Sequence, residues 1–195
     1  MGTGVLMRTN DLAHGNESVF DSICDGLHRL EELGFGVESL DGAQSQASIF
    51  FYYPIAQGNP FQSLYYSEFF SSGTLPVGVR DIGDITPFRL PVNSYFHLHW
   101  LGEVIGDTEN NDVAESRIAD FVKKISSLKS NGVKIVWTVH NILPHDSKLK
   151  KAQIDLRVEL IKLVDIIHIM NDDTQRLAEP FFEIPSNKII SITVN

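Results

Sequence analysis

The sequence predicts an α/β protein with a Rossmann-like, mostly parallel sheet flanked by helices. Three observations carry that expectation. Short, apolar, β-rich runs alternate with stretches of helical periodicity across residues 48–195, the pattern of parallel strands joined by right-handed crossovers. The runs Ile49-Phe50-Phe51-Tyr52-Tyr53 and Ile135-Val136-Trp137-Thr138-Val139 are nearly continuous in apolar and β-favouring residues, as strands buried on both faces are. The second run stops at His140-Asn141, with Pro144 close behind. Polar side chains thus stand at the carboxyl end of a strand, where open α/β sheets bind ligands.

Length and composition set outer bounds. The chain has 195 residues, of which 43% are hydrophobic, enough for one sizeable core with an N-terminal addition. The net charge of −9 disfavours non-specific binding to nucleic acid or anionic lipid. A single cysteine, Cys24, excludes an internal disulfide framework and fits a reducing compartment. No apolar run reaches the roughly 18 residues needed to span a bilayer. Arg8, Asn10 and Asp11 interrupt any signal-peptide core. The expectation is a cytoplasmic protein.

Residues 1–47 read as an N-terminal extension with one helix. Val5 to Met7 and Val37 to Leu40 are candidate short strands. Between them Asn16 is a candidate cap, and Val19, Phe20, Ile23, Leu27, Leu30 and Leu33 fall at helical spacing before Gly34. Cys24 sits beside that apolar face and reads as packing. Residues 41–48 are small and polar, as in a linker.

Residues 48–195 form the expected Rossmann-like domain. The strand 49–53 ends at Pro54. Asn59 then caps a helix from Phe61 to about Phe70, with Pro60 at its first position. Gly58 and Asn59 make a tight turn before a helix N-terminus, a geometry that offers N–H groups to anions. Neither a GxGxxG nor a Walker sequence is present there, so a purely structural turn is the competing reading. Further strands are expected near 76–79, 95–100, 133–139, 165–170 and 189–194. A helix from Val113 to Ser130 turns Ile118, Phe121, Val122, Ile125 and Leu128 inward and Arg117 outward. Another, capped by Ser147, presents Ile154, Leu156, Val158 and Leu160 to Leu163. A short helix starts at Asn171-Asp172. The segment 106–112 reads as an acidic loop. Asn195 falls in or just after a strand with nothing to cover it, from which the front part of a longer protein is expected.

The histidines are the candidate chemistry. A period of two places His97 and His99 on one face of their strand and Phe96, Leu98 and Trp100 on the other. His-x-His is a known zinc-ligand spacing, but no His-Glu-x-x-His accompanies it. A Ser–His–Asp triad lacks its Gly-x-Ser-x-Gly. A single histidine acting as acid, base or hydrogen-bond donor to a polar substrate fits better, because an ordinary imidazole titrates near neutrality. His168 lies within an apolar strand and reads as a satisfied core residue.

Three blocks then carry a resemblance. Asn59-Pro60-Phe61-Gln62-x-Leu64-x-Tyr66, Phe96-His97-Leu98-His99-Trp100-Leu101, and Lys134 through His145 occur in that order. Together with Val164 to His168 and Lys188 to Ile192, they resemble the N-terminal half of bacterial GT-B glycosyltransferases. The nearest group is the family-four-like and glucuronosyltransferase-like enzymes of exopolysaccharide and lipid-linked sugar assembly. The resemblance covers about residues 48–195 and is most specific at Thr138-Val139-His140-Asn141. It implies an acceptor-side domain whose partner, the C-terminal donor domain, lies outside this sequence, so that this chain alone is expected to be inactive. It implies His140 as the catalytic residue that contacts the transferred sugar, and Gly58 and Asn59 as the loop facing the donor phosphates. His97, His99, Trp100, Asn141 and His145 would line the acceptor side. The nucleotide sugar is then a substrate, with no resident cofactor or metal. The acceptor is a glycan or a lipid-linked sugar, met at the inner face of the membrane. Residues 1–47 depart from the family pattern. A non-catalytic binding module of the same fold and a histidine-dependent metallohydrolase remain the alternatives.

Overall fold

The computed structural model describes residues 19–35, 48–56, 59–85, 94–145 and 148–191. The expected strands at 5–7 and 37–40, the caps Asn16 and Ser147, the linker 41–47, Gly58 and the end of the last strand lie outside those residues. The fold is α/β, as expected. Six strands form a parallel sheet: β1 (Ser48–Tyr53), β2 (Thr74–Gly78), β3 (Tyr95–Leu98), β4 (Lys134–Val139), β5 (Ile166–Ile169) and β6 (Ile189–Ser191). Their order is β2-β1-β3-β4-β5-β6. Six α-helices accompany them among the described residues: α1 (Val19–Glu32), α2 (Pro60–Tyr65), α3 (Gly102–Ile105), α4 (Asn111–Ser130), α5 (Lys150–Leu163) and α6 (Thr174–Ala178). None of these helices is long and apolar enough to cross a membrane. The chain divides into two compact units, Met1–Tyr95 and Phe96–Asn195.

In the first unit α1 packs on β2. Its buried stripe runs through Ile23, Gly26 and Leu30, one helical face. A Cβ at Gly26 would collide with the Leu75 side chain, so glycine allows the helix to approach the strand. Cys24 lies off that stripe and is exposed, which corrects the packing role expected of it. Leu33 lies past the helix end and is likewise exposed. Gly34, at φ +88°, ends α1 as expected. Its N–H donates to Glu31 O and that of Phe35 to Leu30 O, which is the Schellman pattern.

The turn after β1 is built by side chains. The Phe61 N–H donates to Asn59 Oδ1 at 2.9 Å, so Asn59 caps α2 with Pro60 at the first helical position. Buried Gln62 donates to Pro54 O at 2.7 Å and accepts from Ala56 N–H at 2.9 Å. The helix is shorter than expected. Ser67, Ser71 and Ser72 each donate a hydroxyl to the carbonyl three residues back, a local bond that competes with the helical ladder. Phe50, Tyr66 and Phe69 pack ring on ring in this region.

In the second unit β4–β5 and β5–β6 are parallel pairs. Asn110 caps α4 by accepting from the Asp112 and Val113 N–H groups, so the helix starts two residues earlier than expected. Ile118, Phe121, Ile125 and Leu128 are buried along it, as the periodicity predicts. Arg117 does not face solvent alone: its Nη1 donates to Ile105 O at the end of α3. Of the expected loop 106–112, residues 106–110 lie between α3 and α4, and Asn111 and Asp112 belong to α4. In α5, Leu156, Leu160 and Ile161 are buried as predicted, but Val158 is 38% exposed and Gln153 and Arg157 are buried. Arg157 Nη1 donates to both Gln153 O and Gln153 Oε1, so the helix itself supplies its acceptors. Lys188 closes the far end of α5 by donating to Ile161 O and Val164 O, a favourable place for a cation.

Candidate functional site

The candidate site is a cluster of imidazoles in the second unit, at the carboxyl ends of neighbouring strands β3 and β4. Sequence spacing explains its geometry. His97 and Thr138 are 41 residues apart, and so are His99 and His140. The two strands advance together, and their alternate residues meet on one face. His97 Nε2 lies 2.7 Å from Thr138 Oγ1. His99 Nδ1 lies 3.0 Å from His140 Nε2. The rings of His97 and His99 are 4.2 Å apart between centroids, as their placement on one face predicts.

The third strand adds a further member. Thr138 is the register partner of His168 on β5, and its Oγ1 lies 3.0 Å from His168 Nδ1. Thr138 and His168 were not among the expected site residues. His168 is buried and partnered, as expected of a core residue, but its partner joins it to the cluster. The sequence holds the two local patterns, Thr138-x-His140 and His97-x-His99, but not the register that brings them together.

β4 ends in a tight turn. The His140 N–H donates to Thr138 O at 3.1 Å, a three-residue turn that redirects the chain as His140 leaves the sheet. His140 is half-buried. Trp100, just past the end of β3, stacks on it at 4.5 Å and 20°.

Burial and mutual repulsion keep these imidazoles neutral. Desolvation, helped by the other three imidazoles, holds His97 well below its ordinary value. Desolvation followed by His140 and His168 lowers His99 to about 3. Desolvation, then His168, lowers His140 to about 4. Burial also lowers His168. At neutral pH each ring has one N–H donor and one acceptor nitrogen. Such a cluster offers directional hydrogen bonds without positive charge. It suits hydroxyl groups better than phosphate, and His140 is too weak a base to serve as one efficiently near pH 7.

The structure brings together His97, His99, Trp100 and His140 from the expected set. Asn141 and His145 stand exposed on the segment after β4. Asn59 lies in the first unit, with its side chain engaged in capping α2. Gly58 lies outside the described residues. Among the described residues, no group of three or more His, Cys, Asp and Glu is arranged to hold a metal ion. No family model, curated protein or solved structure matches the chain.

Proposed function

We propose that this chain is the acceptor-side domain of a GT-B glycosyltransferase, with His140 hydrogen-bonding the sugar that is transferred. The supporting observation is the neutral His99–His140 pair, stacked against Trp100 at the strand ends. A neutral imidazole both donates to and accepts from sugar hydroxyls, and an aromatic ring gives a sugar's C–H face an apolar surface. His140 acts in this reading as a positioned hydrogen-bonding group rather than a general base. The nucleotide sugar is a substrate and no resident metal takes part. The donor phosphates are bound by a second domain, with Gly58 and Asn59 facing them. The acceptor is a glycan or lipid-linked sugar at the inner face of the membrane.

The test is transfer by the full-length gene product, assayed with a panel of nucleotide sugars against glycan and lipid-linked acceptors. Transfer with one donor–acceptor pair is expected. A folded full-length protein that moves no sugar from any donor overturns the reading.

A further inference from the structure

Thr138 stands between two imidazoles. It is fully buried, and its single hydroxyl lies 2.7 Å from His97 Nε2 and 3.0 Å from His168 Nδ1. Both distances are those of hydrogen bonds. A hydroxyl has one proton and two lone pairs, so it donates to one ring and accepts from the other. Were both facing nitrogens without hydrogen, one contact would set lone pair against lone pair. Were both N–H, the hydroxyl proton would need another acceptor in a buried site, where an unmade bond is costly.

The identity of the facing atoms then fixes the outcome. If His97 donates from Nε2, Thr138 donates to Nδ1 of His168, and His168 carries its proton on Nε2. If instead Thr138 donates to Nε2 of His97, the proton of His97 is on Nδ1 and His168 donates from Nδ1. In either arrangement the two rings have the same tautomer. We infer that Thr138 is a positioning residue that locks His97 and His168 into matched tautomers and so fixes the ring on which His99 rests. His99 in turn contacts His140, so the lock lies beneath the His99–His140 pair at the strand ends. Both rings are neutral at pH 7 because burial lowers them, so each holds one proton to place. The inference concerns the ligand-free protein and stands apart from the sugar-transfer reading.

The experiment is long-range ¹⁵N–¹H correlation of the imidazole nitrogens in the 195-residue chain at pH 7, with His97 and His168 assigned by substitution. Matched tautomers are expected in the unaltered protein and in Thr138→Ser. Thr138→Val keeps the side-chain shape and removes the hydroxyl, so at least one of the two rings should change tautomer or become a mixture. Opposite tautomers in the unaltered protein overturn the inference, and that measurement does not depend on whether Thr138→Val folds. Unchanged tautomers in a folded Thr138→Val protein overturn it as well.

Discussion

The indole of Trp100 lies nearly parallel to the imidazole of His140, with ring centroids 4.5 Å apart. The stack covers one face of His140 and takes it from water. Burial is the main reason that His140 titrates at about 4, ahead of repulsion from His168. Trp100→Leu would leave a smaller, non-planar neighbour and readmit water to that face. The His140 titration, followed by NMR, should therefore move up toward the ordinary imidazole range. An unchanged titration would mean that water is excluded by something other than the indole.

His140→Ala removes a hydrogen-bonding group from the end of β4 and leaves the strand intact. If the ring contacts the transferred sugar chiefly in the transition state, turnover falls while acceptor KM changes little. The expected loss is about 10²-fold, the scale of one well-placed donor. Because His140 is only half-buried, thermal stability should shift much less than for a core truncation. Near-normal turnover in the full-length protein would remove His140 from the site.

The imidazole cluster also makes stability depend on pH. Unfolded histidines titrate near 6.5, by the usual reference of about that value. Folded His140 takes up its proton at about 4 and folded His99 at about 3. Between those limits the unfolded chain binds more protons, so acid favours unfolding. The contribution is complete above the ordinary histidine range and is lost as pH falls through it toward 3. Asp165 acts in the same direction at lower pH. Burial raises its titration, but hydrogen bonds from Lys129 and the Ile135 N–H outweigh that and hold it below the usual carboxylate value. The urea midpoint should fall steadily from pH 7.5 to pH 4.5, and His99→Gln with His140→Gln should flatten the slope. A flat profile for the unaltered chain would contradict the buried, neutral cluster.

Local signals were legible in the sequence, and non-local ones were not. The cap at Asn59, the stop at Gly34 and the inward face of α4 follow from residues within one or two turns of each other. The strand β4 was legible as a β-rich run, and its polar end marked where to look. The contacts of that end depend on register. Nothing within Thr138-Val139-His140 says that Thr138 meets His168, 30 residues on, or that His140 meets His99, 41 residues back. A strand neighbour 30 or 41 residues away is a tertiary fact. The length of α2 was hidden for another reason: a serine such as Ser67, whose hydroxyl bonds the Leu64 carbonyl, suits helix and turn alike.

Arg157 is where the sequence pattern and the structure differ most, and it carries the last prediction. A charged residue on an amphipathic helix normally marks the outer face, yet Arg157 is 3% exposed. Its Nη1 is satisfied by Gln153, but its Nε has no hydrogen-bond partner among the described residues. No carboxylate pairs with it there, and burial alone lowers its guanidinium to about 10. A buried charge without a counter-charge costs stability, and a buried donor left unmade adds to that cost. Methionine has a similar length, stays helical and needs no acceptor. Arg157→Met frees the Gln153 side chain, which can re-form bonds within α5 or to water. Replacement of buried charged groups by apolar residues of similar volume is often neutral or stabilising. The expected result is a melting temperature equal to or above that of the unaltered chain, with the parallel-sheet circular dichroism retained. A clear fall, on the order of 2 kcal/mol or more in urea titration, would show that the guanidinium makes stabilising contacts worth more than its desolvation, as buried paired charges do.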